Sequence, residues 1–360
     1  MHIYLVGGAV RDQLLGLPVH EKDWVVIGST AEEMLSLGYQ AVGKNFPVFL
    51  HPKTHEEYAL ARTEKKTGKG YKGFTFYASP NVSLIDDLKR RDLTINAMAR
   101  TKDGILIDPY NGKRDLKEKI FHHISEAFPE DPVRLLRVAR LSTKFPDFTL
   151  HPDTLQLMRE MSQRGEVNNL VPERVWKELS RALNNPYPIR FFEVLAECNA
   201  LPVLFPEIKI DGLGIAALKH PVNERPASRL RFASLCHDLS HSALSTLCHR
   251  YRIPVSYVEL CRLVVHYNSF YRNIVNLDAE LLLEFISKTD AFRRAERFNN
   301  FLSVCHICYE HHEEQFQKMK ELLIALKNVK TDALQQKKLS GIQFSEALKK
   351  LRLKTIKSLL

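Results

Sequence analysis

Long apolar runs are missing from these 360 residues. No stretch reaches the ~20 apolar residues that a helix needs to cross a bilayer, so a helical membrane protein is not expected. The opening MHIYLVGGAVRD has no basic start and no long apolar core, because charge follows the first apolar strand at once. A secretory leader is therefore not expected, and a cytoplasmic protein is. Cysteine is sparse and one-sided. Cys198, Cys236, Cys248, Cys261, Cys305 and Cys308 all fall in the second half, without the spacing of a small disulfide scaffold, so reduced thiols are expected. Internal repeats and low-complexity tracts are absent as well. Acidic residues are outnumbered, 42 against 52 basic ones, for a net charge of +10. That surplus suits a polyanionic partner but does not demand one. Hydrophobic content of 44% is ordinary for a chain with a real core, and the length implies roughly two to four domains.

Residues 1–140 alternate strand and helix signals. His2 to Val6 is a short apolar strand, Gly7-Gly8 follows, and a helical pattern runs from Ala9 to Leu15. Trp24 to Ile27 is a second β-branched run. Thr30 with Glu33 forms a capping-box pattern, and Gly38 ends that helix. Val48 to His51 and Glu57 to Leu60 read as strands. Asp103-Gly104 reads as a hairpin turn between Met98-Ala99 and Ile105-Leu106-Ile107. After Asp131 helical periodicity takes over, in Val133 to Leu141, Pro152 to Met161, Glu173 to Leu183 and Ile189 to Cys198. The expected class is α+β: an N-terminal mixed-sheet head (1–140), then an all-helical neck (141–200), body (201–315) and basic tail (316–360). The lysines from Lys318 onward make either a solvated helical face or a contact to a phosphate backbone.

The head carries the chemistry. In Val6-Gly7-Gly8-Ala9-Val10-Arg11-Asp12 adjacent glycines after a strand let the backbone approach a bulky anion, and the following helix aims N–H groups at it. Arg11 adds a fork for phosphate oxygens. Glu21 and Asp23 are two apart before the next strand, so on extended backbone they share a face. Two carboxylates near a triphosphate are what Mg²⁺ requires, since it takes oxygen ligands and shares them with phosphates. Taken alone, the pair would be ordinary surface acids. A second constellation, Asp86-Asp87-Leu88-Lys89-Arg90-Arg91-Asp92-Leu93-Thr94-Ile95-Asn96-Ala97, offers arginines for phosphate. Asp92 and Asn96, at i and i+4, could hold ribose hydroxyls. A third, Glu130-Asp131-Pro132-Val133-Arg134-Leu135-Leu136-Arg137-Val138-Ala139-Arg140, sets an arginine every third residue along one helical stripe.

Together these segments resemble the class II nucleotidyltransferases of the polymerase-β type, the family of bacterial CCA-adding enzymes and bacterial poly(A) polymerases. Many members have aspartate where this chain has Glu21. The resemblance implies that Glu21 and Asp23 hold catalytic Mg²⁺ and that Gly8, Arg11, Arg91, Asp92, Arg137 and Arg140 bind the sugar and triphosphate. It also implies that Asp131 and Arg134 pair with the base edge in place of a template, a carboxylate accepting from an exocyclic amine and a guanidinium donating to the ring. Asp108-Pro109-Tyr110-Asn111-Gly112 would couple head to neck. The glycine- and lysine-rich segment from Arg62 to Gly73 resembles the mobile loop tied to accepting ATP after CTP. Glu57 is a further carboxylate on the preceding strand.

Beyond Ile208 many relatives carry a metal-dependent phosphohydrolase domain. Here Leu235-Cys236-His237-Asp238-Leu239 keeps a His-Asp step without its companions, which implies an eroded site. Cys305-His306-Ile307-Cys308 with His311-His312 could supply zinc ligands, but one continuous helix is the stronger expectation. The expected activity is template-independent addition of C, C and A to the 3′ end of tRNA from CTP and ATP. A monomer is expected to grip the acceptor arm through its phosphates, away from any membrane. Poly(A) polymerase shares every head motif. The run Trp24 to Thr30, and the short start before the first strand, favour CCA addition. A non-catalytic RNA-binding protein is the reading that the intact Glu21 and Asp23 pair argues against.

Overall fold

The computed structural model describes residues 1–42, 48–66, 74–220, 227–309, 313–331 and 340–360. They form two compact units, Met1–Leu179 with Arg190–Leu204, and Ser180–Ile189 with Phe205–Leu360.

The first unit is built on a seven-stranded mixed sheet. Its strands are β1 (His2–Val6), β2 (Asp23–Ile27), β3 (Gln40–Val42), β4 (Val48–Leu50) and β5 (Glu57–Leu60), with the hairpin β6 (Arg62–Lys66) and β7 (Phe74–Ala78) standing apart, then β8 (Ala99–Arg100) and β9 (Leu106–Ile107). The order across the sheet is β3-β4-β5-β2-β1-β8-β9, with β2 and β5 parallel and the other neighbours antiparallel. Both faces are buried, so β2 reads as an unbroken apolar run. Val25 and Ile27 pack with Val6, Leu88, Ala97 and Ala99 on one side. Trp24 and Val26 pack with Met34, Phe49, Tyr58 and Leu60 on the other.

Helices α1 (Gly8–Leu14), α2 (Ala31–Ser36), α3 (Leu84–Lys89) and α4 (Gly112–Glu118) flank the sheet strands in sequence. Thr30 Oγ1 accepts from the Glu33 amide and Glu33 Oε2 accepts from the Thr30 amide, closing the capping box at the start of α2. Gly104, at φ +87, makes the turn between the antiparallel β8 and β9. Then come β10 (Ile120–Phe121), α5 (Val133–Ser142), β11 (Thr149–Leu150), α6 (Pro152–Gln163), α7 (Pro172–Asn184), α8 (Ile189–Glu197) and α9 (Leu201–Leu204). The strand β11 lies in a stretch whose periodicity shows only helix. Two residues are too few to display a period, and only their parallel pairing with β10 makes them a strand.

The second unit is helical: α10 (Leu213–Ala217), α11 (Ala227–Leu235), α12 (His241–Arg250), α13 (Val255–Arg272), α14 (Ala279–Lys288), α15 (Ala295–Cys308), α16 (Glu313–Lys327) and α17 (Gly341–Lys357). Phe232, Tyr271, Phe285, Phe298 and Phe301 fill its core. All six cysteines are free thiols, five of them buried. Among the described residues no helix is long and apolar enough to cross a membrane.

One close approach governs the segment after α3. A Cβ on Gly112 would fall 2.2 Å from the Thr94 carbonyl oxygen, so α4 packs on the 3-10 turn Thr94–Asn96 only because residue 112 has no side chain. Gly112→Ala is expected to lower stability by about 1–3 kcal/mol through overpacking, read as a lower urea midpoint at unchanged m-value.

Candidate functional site

The β1–β2 ladder pairs Val6 with Asp23, which sets Asp23 beside the residue that enters the Gly7 turn. Gly7 has φ +71, and a Cβ there would lie 2.9 Å from Arg91 Nη1. A side chain at 7 would be strained and would displace that guanidinium. Across the parallel ladder Asp23 is the register partner of Glu57, so both carboxylates project from the face that carries Val25. The Asp23 carboxyl is held above its ordinary value of 3.8. Desolvation by the surrounding protein is the main cause; Arg91 opposes it, the like charge of Glu21 adds to it, and Arg137 opposes it. The charges of Glu21, Arg91 and Arg137 thus all act on the Asp23 carboxyl. Neither Glu21 nor Asp23 is ion-paired among the described residues.

The other acids are committed. Asp87 is fully buried and accepts from Arg90 Nε and Nη2 at 3.0 and 2.8 Å and from Arg91 Nη2 at 3.2 Å. Burial alone would raise its carboxyl, but the two arginines outweigh it and hold it below the ordinary value. Arg91 keeps a buried Nε without a hydrogen-bond partner. Asp92 accepts from Asn96 Nδ2 at 3.0 Å and from Arg137 Nε at 2.7 Å. It too is held low: burial is overcome by the Arg137 charge and by the Asn96 and Arg137 hydrogen bonds. Its ionised form therefore stabilises the fold fully above the unfolded value of 3.8, and this is lost as pH falls through the depressed folded value.

Arg11 is turned inward. It donates to Asp12 Oδ1 at 2.9 and 2.8 Å and to Asn96 Oδ1 at 2.6 Å, and lies over the Phe145 ring. Lys144 Nζ reaches the other Asp12 oxygen at 2.7 Å. Arg134 is buried, with Nη1 on the Ala127 carbonyl at 2.8 Å and Nη2 on the Arg90 carbonyl at 2.6 Å. Both oxygens of Asp131 accept from the Arg174 guanidinium, Oδ1 from Nη1 at 3.1 Å and Oδ2 from Nη2 at 2.9 Å. Arg140 is paired with Glu178.

Sequence reasoning missed Arg174, Glu178, Lys144 and Phe145. Arg174 and Glu178 stand four apart on α7, 43 and 38 residues from their partners. The one signal available was opposite charge at helical spacing, which is common on any surface.

In the second unit His237 is buried and its Nδ1 donates to the Ser234 carbonyl at 2.7 Å, while Asp238 is exposed. Helix α15 runs unbroken through Cys305 and Cys308. His311 and His312 lie outside the described residues, as do residues 67–73 of the basic loop.

Residues 3–122 match the family model for the poly A polymerase head domain, and residues 147–211 the model for a probable RNA and SrmB-binding site of polymerase A. A CCA-adding enzyme of Coxiella burnetii (strain RSA 493 / Nine Mile phase I) is 57% identical over 100% of this chain and 96% of its own length. A multifunctional CCA protein of Thioalkalivibrio sulfidiphilus is 49% identical over 86% of this chain and 85% of its own. The fold matches a CCA-adding enzyme solved with ATP, at a TM-score of 0.75 and 21% identity over 99% of this chain and 86% of that one. It also matches a Thermotoga maritima CCA-adding enzyme solved with tRNA, at 0.71 and 23% over 99% and 87%. Full-length identity at this level, with the glycine turn and Asp23 brought together by one strand ladder, places the chain in the CCA-adding enzyme family of nucleotidyltransferases.

Proposed function

We propose that this chain adds C, C and A in turn to the 3′ end of tRNA from CTP and ATP, with Glu21 and Asp23 holding Mg²⁺ beside the nucleotide. The observation that carries it is the place of Asp23 beside the Gly7 turn that Arg91 approaches, where the charges of Glu21, Arg91 and Arg137 all act on its carboxyl. In this reaction the terminal hydroxyl oxygen bonds to the α-phosphorus, the bond to the bridging oxygen breaks, and pyrophosphate leaves. The donor set fits a hard divalent ion. Glu21 and Asp23 repel each other's charge without an ion-paired arginine, and a third carboxylate, Glu57, is in register with Asp23 on the same face. Bound Mg²⁺ supplies charge neutralisation at the phosphates and eases deprotonation of the attacking hydroxyl.

The arginines divide by their freedom. Arg91, with its unpartnered Nε, and Arg137, half-exposed, are the groups placed to meet phosphate. Arg11, Asn96 and Asp92 form a bonded set that holds the Gly8 end of α1 against the Arg91 segment. Asp131 is the more accessible member of the base-selecting pair. Arg134 reads a base only by giving up a carbonyl partner. Residues 1–140 are read as the catalytic head, 141–200 as its support, and the basic helical remainder as the grip on the acceptor arm.

Asp23→Asn is expected to reduce incorporation of both CTP and ATP by roughly 1000-fold with tRNA binding unchanged, measured by single-turnover extension of tRNA lacking its end. Activity within a few-fold of the parent would sink the metal-site assignment. Offered tRNA ending before C, at C or at CC, and oligo(A), the chain should extend only the tRNAs and stop after A. Long tails on oligo(A) would instead make it a poly(A) polymerase. Arg174→Ala, which releases Asp131, is expected to raise KM for both nucleotides roughly tenfold and admit more UTP, with Arg174→Lys only partly restoring selectivity. Steady-state kinetics with each nucleotide check this.

A further inference from the structure

A second cluster of donors lies near Thr94, where Asp115 bonds to its hydroxyl. His122 follows β10, and His151 and Asp153 open α6. One ligand atom from each lies within 4.8 Å of the others. The two imidazoles stack with centroids 3.9 Å apart and planes 14° from parallel. His122 and Asp153 border a cleft of about 800 Å³ whose walls also carry Asp115, Glu126 and Glu160 against one arginine, Arg114. This lining suits a cation, not an anion. A second feature points the same way. Asp115 Oδ2 sits 3.5 Å from His122 Nδ1 and is fixed by a 2.6 Å hydrogen bond from Thr94 Oγ1. A carboxylate behind one ring nitrogen sets the tautomer so that the other nitrogen presents its lone pair, the usual support of a metal-bound histidine.

We propose that His122, His151 and Asp153 form a binding site for a borderline divalent cation, Zn²⁺ foremost, separate from the Mg²⁺ site at Glu21 and Asp23. Two imidazoles and one carboxylate are the donors that Zn²⁺ takes at about 2.0–2.2 Å, and Mg²⁺ avoids imidazole. Tetrahedral binding needs donor atoms about 3.3 Å apart, with the ion in the plane of each ring, so the stacked rings must turn out of parallel as the three draw together. Asp153, whose side chain is 76% exposed, is free to swing inward, and water completes the shell. The ion would tie the end of β10 to the start of α6 and, through Asp115, to Thr94. Its effect is thus on the stability of the head, not on the transfer step.

The test uses the full chain, stripped with chelator and then titrated with Zn²⁺ in saturating Mg²⁺ by equilibrium dialysis and thermal melting. One equivalent of Zn²⁺ and a raised melting temperature are expected. His151→Ala and Asp153→Asn should each abolish the equivalent or weaken it more than about 100-fold, and Asp115→Asn should weaken it roughly 10–100-fold. Exposed Asp153 makes Asp153→Asn the safe variant, and melting without metal confirms that each variant folds. No Zn²⁺ retained against Mg²⁺ overturns the proposal. So does an undiminished equivalent in both His151→Ala and Asp153→Asn, which would move the ion elsewhere, for example to the neighbouring rings of His241 and His266.

Discussion

Val6 faces Asp23 across an antiparallel ladder whose two sides are both buried, and the register of that ladder holds the head together chemically. Val25 and Ile27 belong to one core, Trp24 and Val26 to the other. A slip of one residue would push each set into the wrong core and carry Asp23 to the face of Phe49 and Tyr58. Packing of ordinary apolar side chains therefore decides where the carboxylate points. The same register puts it next to Gly7, whose lack of a side chain admits Arg91.

Around that point the charges are arranged by contrast. Asp87, Asp92, Asp131 and Glu178 each hold an arginine, and most of these pairs are at least partly buried. Such pairs add little net stability, because desolvation offsets attraction, but breaking one leaves a costly unpaired charge. On the function proposed above, their value lies in fixing guanidinium groups before a nucleotide arrives, so less ordering is needed on binding. Glu21 and Asp23 stand outside this scheme. Arg91 and Arg137 oppose the like charge of Glu21 at Asp23, but neither acid is ion-paired among the described residues, which distinguishes them from the acids that brace the frame.

Much of this was legible in the chain itself, because the signals are local. Gly7-Gly8 after an apolar strand, two acids two residues apart, the Thr30 and Glu33 cap and the Asp103-Gly104 turn each depend on neighbours within a few positions. Asp92 and Asn96 were legible as a pair but not in their use. They lie across a 3-10 turn and bond to each other, with Asn96 also held by Arg11. Arg11 and Arg134, which read as free phosphate and base contacts, prove to be tied to groups within the protein. Nothing local forecasts that, since the partners of Arg11 and Arg134 include residues 85 and 44 positions away.

The order of most strands and helices along the chain, the spacing of acids and arginines, and the resemblance to nucleotidyltransferases were determined by the sequence alone. Periodicity and short motifs encode them within a turn or a strand. Which arginines are spent on acids, how Arg174 grips Asp131, and the stacking of His122 on His151 were decided by tertiary structure. The contacts of Arg137, Arg140 and Arg174 with their acids and of His122 with His151 join residues 29 or more positions apart, and the choice among many equivalent charges is made only when the cores pack and bring one of them within reach.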